Sequence, residues 1–540
     1  MTDRGGGCFK RPIDRRRFLK RAGVFSLASP AFAALVAACT RATSTSTGSL
    51  FPPPTAPATS TAGASATLPW DELATGLNGR LIRPGTAGYP VARLAYDPRF
   101  DDVRPRAIVM ATNAKDVART ILFARDHDLA FAARCGGHSY GGYSLSDGIV
   151  IDVSEMARVR TSTATATVGA GAKVIDVAAG LAAAGAVIPV GTCATVGISG
   201  LTLGGGQGVV GRRFGLTCDS LRAATVVLAD GRIVTCDASK EADLFWALRG
   251  GGGGNLGVVT SFTFSSYPLA RITAFSLSWP SSYAEDVVAA WQTWGPAAPT
   301  SLWSSCRLRW IPGTGPTVSV SGAWSGPPSG LASHLDQLAS ATRHAPSRST
   351  QMMSPLDAAR YFAGCSSYSI DDCRLTEQGG RLAREGSLAK SDFFDRSIDA
   401  SVVRAALGLI DDRGATAALA SQTAGVLFDA WGGKIADLAP DATAFPHRGA
   451  RFLAQEFVTF HGPITDVTLR ENRRWLTDLW RAFRPAASGS AYVNYIDPQL
   501  RGWLHAYYGD NLARLVDVKR RYDPDDAFRF AQSIPTTMPA

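Results

Sequence analysis

Two glycine-rich segments constrain this chain more than anything else in it. The first is Arg134-Cys135-Gly136-Gly137-His138-Ser139-Tyr140-Gly141-Gly142. The second is Val190-Gly191-Thr192-Cys193-Ala194-Thr195-Val196-Gly197, which runs on through Gly200 to Leu203-Gly204-Gly205-Gly206-Gln207-Gly208. Each sets one nucleophilic side chain, His138 or Cys193, in a loop whose glycines allow positive φ and close approach to a ligand. Successive backbone N–H groups in such loops make an anion nest that suits a pyrophosphate. Taken singly, a glycine loop with one histidine reads as a turn, and a lone cysteine as a small buried hydrophobe. The pair, in this order and with these flanks, is far more specific.

A chain of 540 residues is too long for one core, so two or three domains are expected. At 46% apolar and 19% charged it reads as globular. The net charge is +10, but much of it is local: Arg4, Lys10, Arg11, Arg15, Arg16, Arg17, Lys20 and Arg21 precede the first apolar run. Elsewhere there is no basic stripe interleaved with aromatics, so no nucleic-acid partner is read from the charge. Arg15-Arg16-Arg17-Phe18-Leu19-Lys20 matches a twin-arginine export signal. The apolar stretch from Ala22 to Ala38 is marginal for a membrane span and holds Pro30. It ends at Val36-Ala37-Ala38-Cys39, which resembles a lipobox. Residues 1–39 are therefore expected to be a signal, with lipidation of Cys39 tethering the protein to the outer face of the cytoplasmic membrane. An ordinary signal cleaved nearby is the alternative. Residues 40–79, rich in Ser, Thr and Pro, read as a linker without a core. The nine cysteines include no CxxC pair, so no metal site is expected. Cys365 and Cys373 suit either a short-loop disulfide or two free thiols.

Strand and helix signals alternate from residue 80 to 265. Arg106–Met110 reads as a strand, Asn113 as the cap of a helix, and Leu129–Ala133 and Ile149–Val153 as further strands. Thr165–Gly169 leads into a helix from Lys173 that ends at Gly185, and Ala224–Leu228 is another strand. Glu241–Arg249 is a compact amphipathic helix. Gly250–Gly254 and the strand from Val258 then argue for a close backbone pass near a nucleotide. From 266 to 487 the texture changes: strands such as Thr317–Ser321 and Gly425–Phe428 alternate with long helical stretches. Trp279, Trp291, Trp294, Trp303, Trp310, Trp324 and Trp431 are expected mostly as core, with one or two forming a sugar-stacking platform. The last part, 488–540, contains Ala491-Tyr492-Val493-Asn494-Tyr495-Ile496-Asp497, Tyr507-Tyr508-Gly509-Asp510-Asn511, Lys519 and Tyr522-Asp523-Pro524. By pattern it is a strand, a helix and a tail.

The His138 and Cys193 segments, with this C-terminal signature, resemble the berberine bridge enzyme-like oxidases of the vanillyl-alcohol-oxidase superfamily. The resemblance covers nearly all of residues 80–535. It implies an α+β fold: a two-part FAD-binding domain (80–265, completed by 488–540) and a substrate domain with an antiparallel sheet and helices (266–487). It implies FAD bonded covalently twice, by His138 to the flavin 8α-methyl carbon and by Cys193 to ring carbon C6. Two such bonds raise the flavin's redox potential and hold the ring open to a bulky substrate. Arg134, Cys135, Gly136, Gly137, Ser139, Gly142, Gly191, Thr192, Val196, Gly197, Gly200, Gly204, Gly205, Gly208, Val258 and Asn494 are expected to line the cofactor.

The resemblance further implies oxidation of an alcohol or sugar hemiacetal by hydride transfer to flavin N5, with O2 reduced to H2O2. A base must take the hydroxyl proton. Tyr140 and Tyr492 match positions that line the family's active site. Counting on from Phe445-Pro446-His447-Arg448 puts Glu456 at a catalytic strand position, whereas a one-residue slip would point Gln455 inward instead. Gln207 stands where many plant members carry a tyrosine, so that base is absent and Gln207 is expected to bond substrate. Val196 matches the family's oxygen gatekeeper, where a small residue goes with oxygen access. His447, Arg448 and Lys390 suit either pocket or structural roles. The expected partners are O2 and a small molecule, an oligosaccharide or a secondary-metabolite alcohol, and the protein is expected to be a monomer. A tailoring oxidase and a membrane-tethered dehydrogenase with a non-oxygen acceptor are the rival readings.

Overall fold

The computed structural model describes residues 68–539. The twin-arginine run, Cys39 and the stretch 40–67 lie outside the described residues. Folded structure begins earlier than the expected boundary at residue 80: the helix Trp70–Thr75 buries Trp70 and Leu73 in the first core.

The architecture is α+β. Strands Arg80–Ile82, Ala107–Met110, Ile149–Asp152 and Phe131–Arg134 make, in that order, a four-stranded mixed sheet. Ala107–Met110 and Phe131–Arg134 both run parallel to Ile149–Asp152. The near-continuous apolar run of Ile149–Asp152 suits a parallel strand covered on both faces. Helix Ala114–Asp126 makes the crossover, and Asn113 caps it by accepting from the N–H groups of Lys115 and Asp116. A five-stranded antiparallel sheet follows, ordered Val159–Thr161, Thr165–Gly169, Val258–Ser265, Leu221–Val227, Ile233–Asp237. Both sheets share a core with the C-terminal part: Ile151, Val168, Val226 and Phe262 cluster with Tyr508, Leu515, Phe528 and Ile534.

The C-terminal part departs from its expected pattern. Ala491–Asp497 is not a strand but an irregular run around the 3-10 turn Val493–Tyr495. Its N–H groups have other partners: Ala491 donates to the Ala506 carbonyl, Tyr492 to Ser391 Oγ and Asp497 to the Tyr507 hydroxyl. The helices Trp503–Tyr508 and Leu512–Tyr522 come after it.

The third sheet has seven antiparallel strands, ordered Ser347–Met353, Ile272–Trp279, Gly315–Trp324, Leu302–Ile311, Thr423–Ala430, Phe452–Phe460, Gly386–Phe394. Helices Ala284–Ala297, Ala400–Asp411 and Asp466–Phe483 cover one face, burying Leu308, Val320, Val426, Phe428 and Phe452. A period of two then turns Ser305, Asp429 and Gln455 to the opposite face. On that face Phe393 and Leu453 meet Trp431, Phe445 and Tyr492. Trp279, Trp291, Trp303, Trp324 and Trp431 are buried. Trp294 and Trp310 are half-buried and donate to the carbonyls of His334 and Ala420. All seven serve as core, so the expected stacking platform is not among them. Cys365 and Cys373 form a disulfide.

The C-terminal part is pinned to the Gly250–Gly257 loop by one fully buried ammonium. Lys519 Nζ donates to Asp523 Oδ2 at 2.6 Å, to the Asn255 carbonyl at 3.0 Å and to the Phe528 carbonyl at 2.6 Å. Asn255 Oδ1 in turn accepts from the Ile534 N–H. Removing one partner of a buried pair strands the other charge. Lys519→Ala should therefore cost about 3–5 kcal/mol, read as a lower Tm in thermal denaturation. An unchanged Tm would contradict this role for Lys519.

Candidate active site

The two glycine segments meet backbone to backbone. A Cβ on Gly136 would lie 2.4 Å from the Gly197 nitrogen, and one on Gly197 would lie 2.3 Å from Cys135 Sγ. No side chain fits at either position, which is why glycine stands at both. His138 then crosses to the second segment, its Nε2 2.9 Å from Thr195 Oγ1 and its ring stacked on Tyr96 at 3.8 Å. Burial first, and then the positive charge of Lys173, push the His138 imidazole down to about 3. It is therefore neutral at any working pH. The Thr195 backbone also bonds the imidazole. Cys193 is exposed and lies within electrostatic reach of Tyr96, Tyr140 and Tyr495.

Gly137 and Gly142 take φ of 71° and 75°. Among the described residues, none accepts from the backbone N–H groups of Gly136 to Gly141. A row of buried or half-buried donors with no acceptor in the protein is the nest expected from the sequence. Ser139 uses its hydroxyl to accept from the Tyr143 N–H, which shapes the loop. Lys173 Nζ holds the loop's first carbonyl, that of Cys135, at 2.7 Å.

Several expected cofactor residues act from behind this surface. Arg134 is ion-paired with Asp152 at 2.6 Å and donates to the Ala92 and Leu94 carbonyls, so it braces the loop and does not line it. Cys135 packs its sulfur beneath Gly197. Val258 is core, because its strand turns the side chain into the first hydrophobic cluster. Asn494 fills the space that a side chain on Gly204 would need, its Oδ1 2.1 Å from that Cβ position, and donates to the Leu201 carbonyl at 3.0 Å. Gly208 likewise lies against Val190, whose carbonyl oxygen is 1.8 Å from a built Cβ. Gly205 takes φ of 120° beneath Phe445 and Tyr492. Gly191 sits beside the Gln207 carbonyl, and Gly200 faces open space. Thr192 is half-buried next to Cys193. Val196 is half-buried, and its carbonyl accepts from the Val174 N–H.

The catalytic expectations divide. Tyr140 is in place: its hydroxyl accepts from Gln455 Nε2 at 2.9 Å, and its ring meets Tyr495 edge-on at 6.0 Å. Burial, and next the charge of Cys193, push this phenol well above its ordinary range. Glu456 is not in place. Gln455 pairs with Leu427 and Ser391, and Glu456 pairs with Val426 and Lys390 on the helix-covered face. Strand alternation thus puts Gln455 in the site and removes Glu456 from it. Glu456 is fully buried with neither carboxyl oxygen hydrogen-bonded, and burial followed by the charge of Asp392 pushes it up to about 8.

Tyr492 is deeper than expected. Its hydroxyl accepts from the Gly206 N–H at 2.8 Å and from Asn494 Nδ2 at 3.0 Å, and its ring packs among Phe393, Trp431 and Phe445. Tyr495, half-buried, lies edge-on to Tyr492 at 5.0 Å and has Asp429, Tyr140 and Cys193 in electrostatic reach. Asp429 is buried, and that burial pushes its carboxyl up to about 6 against the lowering effect of Ser305, Arg307 and Gln207. Gln207 lies near this carboxyl, and its Nε2 is buried without a hydrogen-bond partner.

Asp429 and Tyr495 carry no flag of their own in the sequence. Asp429 follows the expected strand Gly425–Phe428 by one residue, and Tyr495 sits within the C-terminal signature. The remaining polar residues are structural. Arg448 makes a two-pronged pair with Asp219 at 2.8 Å, His447 Nε2 lies 3.0 Å from the Tyr507 carbonyl, and Lys390 Nζ bonds Asp497 at 2.6 Å.

Residues 105–237 match the FAD binding domain family, and residues 491–535 match the berberine and berberine-like family. The uncharacterized FAD-linked oxidoreductase YgaK of Bacillus subtilis (strain 168) is 34% identical over 469 residues, covering 85% of this chain and 98% of that protein. Berberine bridge enzyme-like C-1 of Nicotiana tabacum is 27% identical over 496 residues, covering 81% of this chain and 86% of that one. Among solved structures, BBE-like 1 of Physcomitrella patens has a TM-score of 0.79 at 29% identity, covering 88% of this chain and 100% of that one. A chitooligosaccharide oxidase shares the fold with a TM-score of 0.75 at 24% identity, covering 86% of this chain and 99% of that one. The fold and site define an FAD-linked oxidoreductase, and the chain belongs to the berberine bridge enzyme-like family. The residues present fit FAD: the free N–H groups of Gly136 to Gly141 suit its pyrophosphate, and a neutral histidine and an exposed thiol flank the same interlock.

The register makes a sharp prediction. Glu456→Gln replaces an already neutral acid and should leave turnover at pH 7 within about twofold. Gln455→Leu removes the donor to Tyr140 and should lower kcat by about tenfold or more. Steady-state O2 uptake distinguishes them, and the reverse ranking would contradict the register.

Proposed function

We propose that this protein oxidises an alcohol carbon of a sugar, taking a hemiacetal to a lactone outside the cytoplasm. The observation that carries the reading is the gathering of Asp429, Tyr495, Tyr140, Gln455 and Gln207 beside Cys193. FAD, held by His138 and Cys193, would supply the hydride acceptor and the route for two electrons to O2, giving H2O2. His138, neutral and held against Thr195, is the imidazole that would carry one of the two bonds.

The chain's own residues handle the proton. Tyr495 receives the substrate hydroxyl proton as its own proton moves to the Asp429 carboxylate. Asp429 suits the task because a base works best with a pKa near the operating pH, and burial has brought it up to about 6. Tyr140 and Tyr492 suit it less. Tyr140 is held as an acceptor by Gln455, and Tyr492 is held in place by Gly206 and Asn494. Gln455 orients Tyr140 towards the substrate, and Gln207 lies near the Asp429 carboxyl with its buried Nε2 left for the substrate.

Oligosaccharide oxidation is supported by the polar character of this face and by the fold shared with a chitooligosaccharide oxidase. Action outside the cytoplasm is supported by the Cys365–Cys373 disulfide, a bond that persists in oxidising compartments. It agrees with twin-arginine export and with tethering through Cys39.

A base works only when ionised, so kcat/KM should fall below a pH of about 6 by tenfold per unit. Rapid-mixing measurement of flavin reduction across pH 4–9 checks this. Asp429→Asn should abolish that limb and lower the rate by about 100-fold or more. A wild-type profile flat through pH 6, or an Asp429→Asn enzyme that keeps the limb, would remove Asp429 from the mechanism.

A further inference from the structure

We infer that Glu385 is the base that takes the thiol proton of Cys193 as that sulfur bonds to the flavin, and that Tyr96 holds Glu385 in place. This rests on the reading of an FAD bonded twice and adds to it the group that makes the second bond.

The two attaching side chains start from different states. His138 is neutral, so one ring nitrogen already carries an unprotonated electron pair. Cys193 is the opposite case, because only the thiolate is a nucleophile. Thiols made reactive in advance sit beside a Lys, an Arg or a charged His. Among the described residues no cation acts on Cys193, and Lys173 reaches His138 without reaching it. Although Cys193 is exposed as a residue, desolvation of its thiol and then the Glu385 charge hold it above its ordinary range. Only the Thr192 side chain opposes them. A thiol held protonated must give its proton to a base at the moment it reacts. Glu385 is the one charged group of the described residues within reach of it.

Glu385 is fixed from both sides. It immediately precedes the strand Gly386–Phe394, and its neighbours are tied to residues 95–101. Arg384 Nε donates to the Ala95 carbonyl at 2.7 Å, and its guanidinium pairs with Asp101. The Ser387 N–H donates to Asp97 Oδ2 at 3.1 Å. A side chain on Gly386 would run into Ile464, so glycine lets the strand enter here. Between these anchors Glu385 Oε2 accepts from the Tyr96 hydroxyl at 3.1 Å. Tyr96 is itself locked to the His138 loop. Its N–H donates to the Gly137 carbonyl at 3.1 Å, and its ring stacks on the imidazole at 3.8 Å. Burial and then Glu385 push the Tyr96 phenol well above its ordinary range, so it stays a donor and Glu385 the acceptor. Tyr140 and His461 also lie in electrostatic reach of Glu385, but they bond Gln455 and Thr423 instead. Among the described residues Glu385 has no ion pair and Oε1 has no hydrogen bond. A carboxylate oxygen is therefore left to take a proton, on a residue exposed like Cys193.

In the step the S–H bond and the flavin C6–H bond break, and an S–C6 bond forms. The thiol proton goes to the Glu385 carboxylate. The C6 proton and two electrons stay with the flavin. O2 then takes both electrons and both protons and leaves as H2O2, which returns the flavin oxidised and Glu385 ionised.

The test follows the two bonds separately in the full chain purified in air, by mass spectrometry of the peptides that carry His138 and Cys193. The wild type at pH 7 should give one flavin joining both peptides. Glu385→Gln should give flavin on the His138 peptide with Cys193 free, because loss of a base slows such a step by about 100-fold or more. Hydroxide replaces the missing base, so in Glu385→Gln held in air the Cys193 bond should form about tenfold faster per unit from pH 7 to 9. Glu385→Asp keeps a carboxylate and should restore the bond at pH 7. Tyr96→Phe keeps the stack and should slow the bond less than Glu385→Gln does. Cys193 already joined in Glu385→Gln at pH 7 would overturn the proposal. So would Cys193 still free after incubation at pH 9, or loss of both bonds together, since either makes the role of Glu385 structural. A wild type that releases its flavin, or holds it through His138 alone, would overturn the reading of two bonds and this proposal with it.

Discussion

The site depends on one close approach: the backbone at Gly136 against the backbone at Gly197. No bond holds that approach by itself. It is permitted by the absence of two Cβ atoms and secured by the contact of His138 with Thr195 and by Lys173 on the Cys135 carbonyl. With the two loops interlocked, a neutral imidazole and an exposed thiol are carried by adjacent strands of backbone, and a row of N–H groups is left without protein acceptors. The supporting residues, Arg134 with Asp152 and Asn494 over Gly204, act from outside that row. They form the rigid second layer that a preorganised cofactor site needs.

The seven-stranded sheet supplies the other half of the site by alternation alone. Its covered face is apolar apart from a buried group of charges that includes Glu456, Asp392 and Lys390, with Asp392 bonded to Arg484 at 2.5 Å. Its open face carries Gln455, Asp429, Ser305 and Arg307. A one-residue difference in register exchanges a neutral, orphaned acid for an amide bonded to Tyr140. The same alternation puts Asp429 on the open face, buried and within electrostatic reach of Tyr495.

Much of the FAD-binding part was legible in the sequence because its signals are local. Asn113 announces a helix cap, the apolar run at Ile149 a covered strand, and the glycines around His138 and Cys193 their own loops. Less was legible where the partner is distant in sequence. Ala491–Asp497 has strand composition, yet its N–H groups are taken by Ala506, Ser391 and Tyr507. Motif counting could not settle Gln455 against Glu456, because register is set by pairing with the strands Thr423–Ala430 and Gly386–Phe394. Trp70 and Leu73 looked like the end of a polar linker, and only the core they enter shows otherwise. Glu385 drew no attention as sequence, since its place beside Tyr96 and Cys193 is visible only in three dimensions.

The account stands or falls on whether the interlocked loops bond one FAD through both side chains. The direct measurement is acid precipitation of the purified protein and of the His138→Ala, Cys193→Ala and doubly substituted forms, with flavin assayed in pellet and supernatant. The account predicts flavin in the pellet for the wild type and for each single variant, and in the supernatant only when both residues are replaced. Flavin released from the wild type, or retained by the double variant, would contradict it.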